Sequence, residues 1–407
     1  MAPRMLKRLY QRPSELEWTV LASKPTAYFP HRLQVARAEV LFDLGDWDRA
    51  EAVCQMSLET LEDEGDVRLQ ASFENHLGRI KALRGEGDRA ERLLASAAER
   101  YRQLNDAKEQ GRVQGNLGMI WEQRGDFEQA MDCYQRWLEL SRLTGFLPGV
   151  AAANGNIGIL HAKRGDLKGA LERFDTLLKI SEELDDLKGI VLALGNLGQA
   201  NVLLGELERA EVYLMRKIEL VRRMGDRFQL CQAMGSLGDV WLRRKQYTKA
   251  ETCYRDVMEN AGALRNPSFA CQAYRMIGEV RHLNGDSIGA LEHYRAASMI
   301  AKQTGNRPAL AEVDRATGVL LLGQGKAGEA AEHLRSSLET IRTSGTSIQV
   351  AEVLADLSRA LLEQGEKSAA YSATVEALGI ARDVGDNELA AELVEIMAQA
   401  DLREKTP

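Results

Sequence analysis

Asn116, Asn156 and Asn196 stand forty residues apart, with His76 one interval before them and Ser236 one interval after. A carboxamide donates through its nitrogen and accepts through its oxygen, so one asparagine can satisfy both the N–H and the C=O of an extended ligand backbone. If parallel helices carry these rungs, roughly 8–10 Å apart, while an extended chain advances about 3.3–3.6 Å per residue, each rung meets the ligand about every third residue. Other chemistry finds little support. Cys54, Cys133, Cys231, Cys253 and Cys271 form no C-x-x-C pair, and an odd count fits a reducing compartment. Cys231 and Cys271 share one repeat position and Cys133 and Cys253 another, as interchangeable core residues would. His31, His76, His161, His282, His293 and His333 include no H-E-x-x-H, and Gly323-Gln324-Gly325-Lys326 lacks both the lead and the trailing hydroxyl of a phosphate loop. The expectation is a protein that is not an enzyme, with no metal and no cofactor.

The supports follow from the same period. Gly78, Gly118, Gly158, Gly198, Gly238, Gly278 and Gly318 recur every forty residues, preceded by Ala38 and followed by Ser358. Ala50, Ala90, Ala130, Ala170, Ala210, Ala250, Ala290, Ala330 and Ala370 form a second column. Inside each interval, apolar residues recur at helical spacing twice: Val113, Leu117 and Ile120 up to Gly125, then Phe127, Ala130, Met131, Tyr134 and Leu138 up to Gly145. Gly-Asp pairs such as 45–46, 125–126, 165–166 and 285–286 suit a tight helix-to-helix turn, with further pairs at 65–66, 225–226 and 385–386. The mid-helix glycine costs about 1 kcal/mol against alanine. Keeping it predicts two backbones in close approach, with the alanine column as the opposing small surface.

Leu117-Gly118-x-x-Trp121 followed by Ala130-x-x-x-Tyr134 resembles the tetratricopeptide repeat, and Leu237-Gly238-x-x-Trp241 with Ala250-x-x-x-Tyr254 repeats the likeness. Gly115-Asn116-Leu117-Gly118, Gly155-Asn156-Ile157-Gly158 and Gly195-Asn196-Leu197-Gly198 are similar to the forty-residue variety of Pins-type polarity adaptors and of bacterial sensor arms. The resemblance covers about residues 31–386. It implies an all-α fold, a right-handed superhelical α-solenoid of antiparallel helix pairs with about nine units and longer helices than usual. Residues 387–407 are expected to supply a C-terminal capping helix and tail, and residues 1–30 a non-repeat cap or docking tail.

The resemblance also places the first helix of each unit on a concave surface. The stripe left over opposite the packing face is Arg112, Asn116, Met119 and Gln123 in the third unit, then Ala152, Asn156, Ile159 and Lys163. Leu192, Asn196, Gln199 and Leu203 follow, then Gln232, Ser236, Asp239 and Arg243. Arg79, Arg112, Lys163, Asp239, Arg243 and Glu279 are expected to select among ligands, and Gly115, Gly155, Gly195 and Gly235 to leave the ligand room. From Met276 onward the ladder stops.

Composition bounds the partners. The 407 residues are 44% hydrophobic and 28% charged, with a net charge of -7. That balance opposes a general nucleic-acid or anionic-membrane binder. No apolar run approaches the roughly 18 residues of a membrane helix, and the basic N-terminal stretch has no apolar segment behind it. The expectation is a cytoplasmic scaffold or adaptor holding a linear segment of another protein, without nucleic acid or membrane insertion. A regulatory or ligand-sensing array acting on a separate effector, and a self-assembling structural element, are the alternatives.

Overall fold

The computed structural model describes residues 31–404. Among them are nineteen helices and no strand, arranged as consecutive pairs. The leading helices are α1 (His31–Asp43), α3 (Val67–Leu83), α5 (Ala107–Gln123), α7 (Leu147–Lys163), α9 (Leu187–Leu203), α11 (Arg227–Arg243), α13 (Pro267–Leu283), α15 (Arg307–Gly323) and α17 (Ser347–Gln364). Their trailing partners are α2 (Trp47–Glu64), α4 (Gly87–Gln103), α6 (Phe127–Leu143), α8 (Leu167–Glu183), α10 (Leu207–Met224), α12 (Tyr247–Leu264), α14 (Ser287–Thr304), α16 (Ala327–Ser344) and α18 (Lys367–Asp383). A last helix, α19 (Asn387–Glu404), packs on α18 and α17. The expected roles of residues 1–30 and of the tail beyond 404 lie outside the described residues.

The chain ends each helix by local chemistry. After α5, Gly125 takes the left-handed conformation at a φ of 79°, and the Asp126 carboxylate accepts from the Gln129 N–H at 3.1 Å to cap α6. Asp66, Asp166, Asp226, Asp286 and Asp386 cap their helices in the same way. Asn105, Asp185, Lys245 and Arg265 hold positive φ without being glycine.

The mid-helix glycine column admits an aromatic or leucine side chain. A Cβ on Gly118 would stand 2.4 Å from Tyr134 Cε1, one on Gly158 2.6 Å from Phe174 Cε1, and one on Gly278 2.6 Å from Tyr294 Cε1. Leu94 and Leu334 fill the equivalent space at Gly78 and Gly318. The expected alanine surface is therefore only part of the contact. Alanine lets the backbones approach, and the residue four positions later lays its side chain across the glycine. All nine alanines are fully buried.

Contacts gather the described residues into two compact units, one up to Ala200 and one from Asn201. In the first, α1 touches α3, α3 touches α5 and α5 touches α7. In the second, α11 touches α13, α13 touches α15, α15 touches α17 and α17 touches α19. Successive trailing helices make no comparable contact among the described residues. A stack bends toward its tighter row, so the leading helices joined by these contacts line the inner edge within each unit.

Candidate functional site

On α5, Val113, Leu117 and Ile120 are buried while Arg112, Met119 and Gln123 are exposed and Asn116 is half-buried between them. On α7, Ala152 and Lys163 are exposed and Asn156 and Ile159 half-buried; on α9, Leu192 and Gln199 are exposed and Asn196 half-buried. The first unit therefore carries one half-buried asparagine on each of α5, α7 and α9, beside exposed Met119 and Leu192, which are 48% and 52% exposed. Ser236, Asp239 and Arg243 belong to the second unit, where Arg243 is exposed and the other two are half-buried on α11.

The rungs are not chemically equal. Asn116 Nδ2 donates to Asn75 Oδ1 of α3 at 2.8 Å, a bond between successive leading helices that the sequence did not single out. Asn196 Nδ2 is sealed from solvent and has no hydrogen-bond partner, an arrangement that costs about 1–3 kcal/mol unless the amide is reoriented or met by a ligand. His76 is buried, its Nδ1 likewise unpartnered, and burial together with Arg79 and Arg112 pushes its pKa down to about 3, so it is neutral.

The flanking charges are partly engaged. Arg79 stacks on the Phe42 ring at 4.0 Å, and burial pulls its pKa below the usual guanidinium range, against the opposing pull of Glu39 and Asp43. Arg112 meets Glu109 at 3.3 Å. Lys163 donates to Glu122 Oε1 at 2.8 Å, while Glu122 Oε2 accepts from the Tyr134 hydroxyl at 2.8 Å. In the second unit, Asp239 accepts from the Tyr254 hydroxyl at 2.7 Å, and burial holds its carboxyl above the ordinary range.

The glycines expected to make room divide. Gly115 and Gly155 are buried against the trailing helix: a Cβ at Gly115 would lie 2.6 Å from Trp137 Cε3, and one at Gly155 3.3 Å from Leu177 Cδ2. They leave room for core side chains, because one residue before the asparagine rotates the position about 100° toward the partner helix. Gly195 is half-buried. Gly235, also half-buried, has nothing within 4 Å of a Cβ, so open space is found there.

All five cysteines are free and buried, and burial raises Cys54 to about 12 and Cys133 to about 11, far from a reactive thiolate. No group of three metal-ligating side chains occurs among the described residues. Gly325 and Lys326 form the turn before α16, Lys326 at its N-cap. No helix among the described residues is long and apolar enough to cross a membrane.

Comparison with known proteins agrees with this architecture. Family models of the tetratricopeptide repeat match residues 31–55, 69–142 and 149–223. No curated protein gives a significant sequence match. Among solved structures, the apo quorum sensor NprR from B. thuringiensis superposes with a TM-score of 0.61 at 12% identity, over 84% of this chain and 94% of its own. A Rap protein complexed with competence and sporulation factor gives 0.58 at 14% identity, over 89% of this chain and 99% of its own. Apo RapI gives 0.55 at 17% identity, over 67% and 97%.

Proposed function

From the premise that this chain is a tetratricopeptide-repeat protein, we propose that it is a non-catalytic scaffold whose inner row of leading helices binds an extended segment of a partner protein. One observation carries this reading: three successive leading helices carry a half-buried asparagine at the same repeat position, near exposed apolar Met119 and Leu192. Amides give the ligand backbone donors and acceptors, and the apolar neighbours take its side chains. Repeat stacks suit the task because each unit adds the same increment of surface. The Rap protein solved with competence and sporulation factor is a precedent for ligand binding on this fold.

The test is positional. A photoreactive amino acid replaces Met119 in one variant and exposed Gln135 on α6 in another. The reading expects the first to crosslink one contiguous partner segment and the second to give no such product. Equal crosslinking from both positions overturns it.

A further inference from the structure

The rung position changes character in the second unit. Forty-residue steps from Asn196 lead through Ser236 to Met276 on α13, Ala316 on α15 and Asp356 on α17. Met276 is buried and Ala316 carries only a methyl, so neither side chain gives a ligand backbone the paired donor and acceptor of an amide. Asp356 is 6% exposed and already held: its two carboxylate oxygens meet Arg315 Nε of α15 at 2.8 Å and Arg359 Nη1 of its own helix at 2.7 Å. The position one residue earlier, glycine on α5, α7, α9 and α11, is arginine on α13 and α15. Arg275 reaches Glu312 of α15 at 3.3 Å, and Arg315 also pairs with Glu352 of α17. These links run from one leading helix to the next. Guanidinium–carboxylate pairs therefore join α13, α15 and α17, whereas the first unit carries neutral amides at its rungs.

We propose that the partner segment is a short linear motif, read by α5, α7 and α9 and not by α13, α15 or α17; this deepens the proposed function and rests on it. A ligand backbone laid along the ion-paired helices finds no amide to bond and has to part charges that already satisfy one another. Parting Arg315 from Asp356 strips a counter-charge from a buried carboxylate, which is strongly unfavourable. The neutral N–H of a ligand backbone is a weaker partner for that carboxylate than the guanidinium it displaces. At the usual spacing of packed helices, roughly 8–10 Å, three successive rungs are spanned by about five or six residues of extended chain. The contact is therefore a motif of about that length.

The test compares, in the full chain, a photoreactive amino acid at Met119 with one at Gln272, which is exposed on α13 at the repeat position of Arg112. Met119 is expected to capture the segment and Gln272 to leave it uncaptured. The segment captured at Met119 is then synthesised and trimmed from both ends, and each peptide is titrated against the wild-type chain. Affinity is expected to reside in a window of about six residues; losses on trimming outside a window of about nine, the reach of one more helix spacing, overturn the proposal. Capture of the same segment from both positions also overturns it and leaves the proposed function standing. Absence of capture at Met119 overturns both.

Discussion

Two glycines in the same kind of leading helix carry opposite predictions. At Gly118, an added methyl would meet Tyr134 Cε1, Cδ1 and Cζ at 2.4, 2.6 and 3.0 Å. That ring is fully buried and its hydroxyl is bonded to Glu122, so it has little freedom to retreat. Overpacking costs about 1–3 kcal/mol, and the upper part of that range applies to a blocked aromatic ring. Replacing a mid-helix glycine by alanine returns about 1 kcal/mol of propensity. Gly118→Ala therefore loses about 1–2 kcal/mol net. At Gly235 a Cβ has nothing within 4 Å, so only the propensity operates and Gly235→Ala gains about 0.5–1 kcal/mol. Long repeat arrays depart from two-state unfolding, which makes a local readout preferable to one melting temperature. Hydrogen exchange over α5–α6 is expected to accelerate about five- to thirtyfold in Gly118→Ala, and exchange over α11–α12 to slow in Gly235→Ala. A neutral or stabilising Gly118→Ala, or a destabilising Gly235→Ala, refutes the packing argument.

Two further predictions concern charge. Lys81→Ala removes the ammonium shared by Glu51 and Glu86, but Arg84 Nη1 remains 2.7 Å from Glu51. The expected loss is below the ~3–5 kcal/mol of a buried pair left wholly unpaired, read as faster exchange in α2 and α3, with Lys81→Arg milder. His333 Nδ1 stands 3.0 Å from Asp314, whose other oxygen accepts from Ser336 at 2.9 Å; the hydrogen bond raises the imidazole pKa, burial and Lys302 oppose it, and Glu332 assists. A raised folded pKa means a contribution that is complete below the unfolded value of about 6.5 and lost as pH rises through the folded value. The stability difference between the wild-type chain and His333→Gln is expected to shrink from pH 6 to pH 8 in parallel melts, and a widening difference contradicts the assignment.

The period, the helix pairs and most turns were legible in the sequence because the determinants are local: the Gly-Asp pair both ends a helix and caps the next. Lys245 and Arg265 escaped that rule, since nothing in their chemistry marks a left-handed residue. What faces each mid-helix glycine was not legible, because the contact comes from the trailing helix. Gly115 and Gly235 read alike, yet Trp137 crowds the first while its repeat counterpart Val257 leaves the second open. The exposed stripe was legible from helical spacing, but its internal bonds were not. Asn116 to Asn75 and Lys163 to Glu122 each span forty-one residues and depend on how successive leading helices stack. Another long-range feature has a sequence signal: Arg84, Arg124 and Arg244 share a repeat position. Arg124 grips Asp88 and Glu91 at 2.6 Å each beneath the Trp121 ring, and Arg244 grips Glu211 at 2.6 Å beside Trp241.

The asparagine rungs are tested most directly by titration. Once the partner segment is crosslinked at position 119 and synthesised as a peptide, its affinity is measured for the wild-type chain and for Asn116→Ala, Asn156→Ala and Asn196→Ala combined. Three lost hydrogen bonds of about 0.5–1.5 kcal/mol each weaken binding at least about tenfold, with helical circular dichroism unchanged. Unaltered affinity in a folded triple variant contradicts the account.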